Sequence, residues 1–125
     1  MAVDSGATES VGSDDMITSI ETQPGEASRR GVKYEVADGT TIQNYGEKRF
    51  QAESSEGISN KFVVQVTDVN KGLLSVSKMV KAGKRVVFDA KGSYVEDTQT
   101  GEVMNLKEVG GMYMLKLWVK KASGF

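Results

Sequence analysis

Four glycine-ended dipeptides, Asp38-Gly39, Glu56-Gly57, Thr100-Gly101 and Gly110-Gly111, separate short runs in which apolar residues recur at every second position. A repeat of two is that of a β-strand, whose successive side chains leave opposite faces, and glycine reaches the backbone conformations that tight reversals need. This rhythm restricts the chain to a mostly β fold. Val32, Tyr34 and Val36 alternate with Lys33 and Glu35, Asp38-Gly39 forms a hairpin turn, and Thr40-Thr41-Ile42 starts the return strand. Glu47–Glu53 is a further strand, and Lys61–Val66 is the strongest, with β-branched and aromatic residues on both faces. Arg85–Phe88, Tyr94–Glu96 and Val103–Leu106 follow. Met112–Val119 closes the series as one strand, with Met112, Met114, Lys116 and Trp118 opposed to Tyr113, Leu115, Leu117 and Val119.

One segment changes period. Leu73, Leu74, Val76, Met79 and Val80 share one side of a helix, with Asn70 placed to cap its start and Gly83 its end. Residues 5–31 read as a polar excursion, a loop or strand-turn-strand, with Met16, Ile17 and Ile20 as its apolar cluster and Gln23-Pro24-Gly25-Glu26 as a turn.

Composition narrows the chemistry. A chain of 125 residues, 38% hydrophobic and 26% charged, has the size and balance of one globular domain. Sixteen basic side chains stand against 17 acidic ones, which gives no electrostatic case for nucleic acid or membrane binding; Arg29-Arg30 and Lys120-Lys121 are too sparse to change that. No apolar stretch is long enough to span a membrane. The chain has no His and no Cys, which removes Ser-His-Asp and Cys-His nucleophilic catalysis, disulfides and the usual zinc ligands. Asp14-Asp15 lacks further ligands and reads as a solvated turn, so neither a metal nor a cofactor is expected. Trp118 and the four Tyr read as core or strand-pair residues. Any catalysis must run on carboxylates, Tyr, Lys or Ser.

A carboxylate with a distinctive neighbourhood occurs near the start, in Val3-Asp4-Ser5-Gly6-Ala7-Thr8. A second block, Leu73-Leu74-Ser75-Val76-Ser77-Lys78-Met79, continues through Ala82-Gly83 to Val86-Val87-Phe88-Asp89, and Gly111-Met112-Tyr113-Met114-Leu115 follows later. In this order the chain resembles a retropepsin-like aspartic protease, and within that superfamily the protease segment of copia-type retrotransposon polyproteins. The resemblance implies a closed β-barrel monomer with one short helix and an extra C-terminal β-meander. Residues 1–125 would form a single domain, with a protease core over 1–89, a flap over about 32–45 and a β extension over 90–125. The short lead before Asp4 suggests a slice of a longer polyprotein.

The resemblance also implies roles. Asp4 is the catalytic carboxylate and occurs in one such motif, so the second aspartate must come from another copy in a homodimer. Two adjacent carboxylates do not both ionise readily, so one serves as general acid while the other polarises a water for attack on a peptide carbonyl. Ser5 would hydrogen-bond across the two-fold axis, Gly6 would let the backbone approach the carboxylate, and Ala7 and Thr8 would leave room for substrate. Val36-Ala37-Asp38-Gly39-Thr40 would form the flap over an extended peptide or polyprotein substrate. Met112–Val119 is expected to supply strand pairing between subunits. Location would be intracellular, in the cytoplasm or a virus-like particle. Two alternatives remain: a catalytically inactive retropepsin-like module for dimerisation or peptide binding, and an unrelated β scaffold in which Asp4 lies outside a cleft.

Overall fold

The computed structural model describes residues 1–35, 39–69 and 72–120. The first half of the chain runs β1 (Ala2–Asp4), β2 (Val11–Gly12), α1 (Glu26–Arg29), β3 (Lys33–Glu35), β4 (Thr41–Gln43), β5 (Gly46–Ser54) and β6 (Ser59–Val66). The second runs β7 (Leu73–Ser75), α2 (Val76–Lys81), β8 (Lys84–Val87), β9 (Ser93–Asp97), β10 (Val103–Val109), β11 (Met112–Met114) and β12 (Leu117–Val119). The fold is therefore mostly β, as the period-two pattern requires, with two short helices among the described residues.

Ten strands form one mixed sheet in the order β12-β5-β6-β2-β7-β1-β11-β10-β9-β8, and β3 pairs with β4 in a separate two-stranded sheet. Its longest ladder is the β5–β6 hairpin, in register from Gly46 opposite Val66 to Glu53 opposite Ser59. Phe50 faces Phe62 across it with ring centroids 5.6 Å apart, a cross-strand aromatic pair that fixes this register. Gly57 turns the hairpin at φ 80°. The Gly110-Gly111 pair turns β10 into β11 with φ of 58° and 81°, the two positive values that a type I′ reversal needs.

Two core clusters result. Val3, Leu74, Val95, Met104 and Leu115 form one, and Ile20, Phe50, Ala52 and Val64 form the other. Half-buried Met1, Phe62 and Leu117 pack against both and join them. Ile20 anchors the polar excursion, and buried Lys48 holds it further, donating from Nζ to the Asp14 carbonyl at 2.6 Å and the Ile17 carbonyl at 2.8 Å.

Several expectations need correction. No closed barrel forms: among the described residues the sheet ends at β12 on one side and β8 on the other. Charges mark both ends, Lys84 and Arg85 on β8 and Lys116 and Lys120 flanking β12, and charged edges resist further pairing. The helix starts at Val76, because Leu73–Ser75 pairs in parallel with Ala2–Asp4 and is drawn into the sheet. Ser75 caps that helix by accepting a bond from the Lys78 N–H; Asn70 lies outside the described residues. Gln23-Pro24-Gly25-Glu26 is not a simple turn, since Gln23 bridges to Glu47 and Gly25 caps α1. Met112–Val119 is two strands. Leu115, 1% exposed, drops into the core between them, so β11 pairs with β1 and β10 while β12 pairs with β5. Of the two roles expected for Trp118, core or strand-pair residue, it has the second: it pairs with Glu53 at the sheet edge and is 52% exposed, with Lys116 Nζ 5.2 Å from its ring centre.

Candidate functional site

Parallel pairing of β1 with β7 brings the two sequence blocks together. Ala2, Val3 and Asp4 lie opposite Leu73, Leu74 and Ser75, so the carboxylate leaves the sheet beside the cap of α2. Buried Ala2 and Val3 hold the strand, and Asp4 sits half-buried at its end. From there residues 5–10 loop around the end of β7 and return as β2, whose Val11 pairs with Leu73 on the other side.

Three bonds shape this loop. Asp4 Oδ1 accepts the Gly6 N–H at 2.8 Å, which orients the carboxylate. Ser75 Oγ donates to the Ala7 carbonyl at 2.6 Å, and the Ser75 N–H donates to Ser10 Oγ at 3.0 Å. Ser75 is 0% exposed, so one side chain caps α2 and braces the Asp4 loop without competition from solvent. An ion pair of 3.2 Å between Glu9 and Lys78 ties the loop to α2 a second time. A Cβ at Gly6 would stand 3.3 Å from Asp4 Oδ1, so glycine keeps that space tight but open. Ser5, Gly6 and Thr8 are exposed and Ala7 is half-buried, leaving the outer face of the loop accessible.

The hairpin β3–β4 stands apart from the main sheet. Lys33, Tyr34 and Glu35 pair with Gln43, Ile42 and Thr41, and exposed Gly39 has φ 87° on the way to β4. Gly39 and exposed Thr40 belong to the expected flap; Val36, Ala37 and Asp38 lie outside the described residues. The hairpin is fastened at its base by buried Asn44, whose Nδ2 donates to Tyr34 Oη at 3.1 Å and to Gln65 Oε1 at 2.8 Å. Asn44 Oδ1 accepts the Gly46 N–H at 2.8 Å. Next to it, Tyr45 Oη donates to Asp68 at 2.6 Å, and that bond raises the phenol above its ordinary value.

Asp4 and its neighbours are legible in the sequence; the residues that brace the Asp4 loop and the base of the hairpin, Ser75, Ser10 and Asn44, are not among the expected site residues. A signal for Ser75 existed, since serine directly before Val76-Ser77-Lys78-Met79 is an ordinary helix N-cap. Nothing local announced Ser10, whose partner is 65 residues away; the Asn-x-Gly spacing of Asn44 and Gly46 is a local turn signal, but the bonds from Asn44 Nδ2 reach 10 and 21 residues away. Asp14 and Asp15 accept bonds from Thr22 and Ser13 within the excursion. Among the described residues no group of three His, Cys, Asp or Glu could hold a metal ion, and no helix is long and apolar enough to cross a membrane. No protein-family model matches the chain, and neither a curated protein nor a solved structure does so.

Proposed function

We propose that the protein is a retropepsin-like aspartic endopeptidase that works as a homodimer and processes a retrotransposon polyprotein inside the cell. The observation that carries this reading is the bracing of the Asp4 loop by Ser75, which joins the two sequence blocks that resemble the copia-type protease segment. In this reading Asp4 and the partner subunit's Asp4 hold one water between them. One carboxylate removes a proton from the water as it attacks the peptide carbonyl; the other, protonated, hydrogen-bonds the carbonyl oxygen and the proton is later delivered to the leaving nitrogen. The Gly6 N–H holds its carboxylate in a fixed rotamer, so less orientation must be lost on reaching the transition state. The hairpin β3–β4, separate from the ten-stranded sheet and fastened at its base by Asn44, supports a role as the flap that closes over an extended peptide.

The deciding variant is Asp4→Asn, assayed on peptide libraries at mildly acidic pH. Cleavage should fall by about 10²-fold or more, the scale of a lost general acid–base group. Turnover that survives the substitution overturns the mechanism. Peptide binding without any Asp4-dependent turnover in the natural chain would instead identify a silent dimerisation or peptide-binding module.

A further inference from the structure

On the inner side of the Asp4 loop, between β6, α2 and the β8–β10 meander, lies a cavity of about 310 Å³. Its floor is apolar: Phe62, Leu74, Met79, Val95 and Met104. Its wall carries three lysines, Lys61, Lys78 and Lys84, against Glu9 as the one carboxylate of the lining. We propose that this cavity is a binding site for a small amphiphilic carboxylate, such as a medium-chain fatty acid, with the tail on the floor and the carboxylate among the lysines. The proposal does not depend on Asp4 catalysis.

Size, chemistry and charge each argue for it. The volume sits at the small end of the range of ligand sites, about 300–1,000 Å³, which suits a short chain rather than a peptide or a nucleotide. A mainly apolar lining with a few polar groups is the usual make-up of such sites. Lys78 and Lys84 keep N–H donors to spare beyond their own ion pairs. Lys78 meets Glu9 at 3.2 Å and Lys84 meets Asp97 at 2.7 Å, yet an ammonium has three N–H donors and each of these contacts uses one. An incoming carboxylate would share these ammonium groups rather than displace their partners. Lys84, with only 17% of its side chain exposed, offers a partly desolvated charge, where such a contact is stronger than at an open surface. The two floor methionines can adjust to chains of different shape.

The methionines also provide the test. Met79 and Met104 line this cavity, whereas Met1, Met16, Met112 and Met114 line a second, apolar one of about 550 Å³ near β1 and β11. Methyl-detected NMR of the whole chain, titrated with octanoate below its micelle concentration, should shift the Met79 and Met104 methyls saturably and leave the other four unchanged. Octanol should bind at least tenfold more weakly. The double variant Lys78→Met/Lys84→Met should lose about tenfold in octanoate affinity while octanol binding stays the same. If that variant fails to fold, the octanoate-to-octanol ratio on the natural chain decides. No saturable shift, shifts centred on the other four methyls, or equal affinity for acid and alcohol would each overturn the proposal.

Discussion

Gly46 is the residue at which backbone geometry leaves least choice. Its φ is 138°, and a Cβ there would stand 2.4 Å from the carbonyl oxygen of Gln23, a contact that backbone must yield to. Gly39 also has positive φ, 87°, but among the described residues a Cβ would meet nothing within 4 Å. Gly46→Ala should therefore cost about 3 kcal/mol or more by urea denaturation, from strain plus collision. Gly39→Ala should cost only about 1 kcal/mol, from conformation alone. Equal losses would show that the close approach to Gln23 carries no energy. The same scale explains what the sequence could say about Asp4. Its neighbours are local, so the motif was legible; the hydrogen bond from the Gly6 N–H, two residues away, follows from an Asp-x-Gly turn. The burial of Ser75 and Asn44 depends on elements that arrive from elsewhere in the chain, and their roles were not.

At the scale of elements, α2 is six residues long, too short to persist by propensity. It is held by its cap and by contact with β7 and β8. Ser75→Ala removes the cap and the brace on Ala7 together. A loss of about 1–2 kcal/mol is expected from the cap, read as a shift in the denaturation midpoint. Hydrogen exchange at residues 5–10 should rise with it; a loop that stays protected would show that Ser75 acts on the helix alone. The β8–β9 hairpin makes a prediction of a different kind. Asp97 Oδ2 accepts from Lys84 Nζ at 2.7 Å, and its other oxygen from the backbone N–H groups of Gln99 and Thr100. The lysine first, and then the two backbone donors, hold its carboxyl at about 2, below the usual 3.8. Because the folded value is the lower one, the ionised form stabilises the fold above the unfolded value and that stabilisation disappears as pH falls from about 4 through about 2. Asp97→Asn should remove this part of the acid dependence. A natural chain whose midpoint is flat over that interval would contradict the assignment.

For the whole molecule, the proposed chemistry requires two copies. Sedimentation should give a dimer at the concentrations where cleavage is measured, and a strictly monomeric species with full turnover would exclude paired Asp4 residues. The sheet restricts how copies can meet through the C-terminal strands. With β11 enclosed by β1 and β10, the expected pairing over all of Met112–Val119 is not available, and only the outer edge of β12 remains at that end. Sequence by itself determined the mostly β composition, the hairpins at Gly39, Gly57 and Gly110-Gly111, and the excluded chemistries, because period-two patterning, glycine conformation and residue inventory act over a few neighbours. Tertiary structure alone decided that Leu73–Ser75 is a strand, since its periodicity suited a helix until the parallel contact with Ala2–Asp4 claimed its backbone groups. It likewise divided Met112–Val119 after Leu115, whose backbone still bonds to Met1 beside β1, whereas Leu117–Val119 pairs with β5. Pairings between residues seventy or more positions apart carry no local signature, and those pairings placed Asp4 beside Ser75.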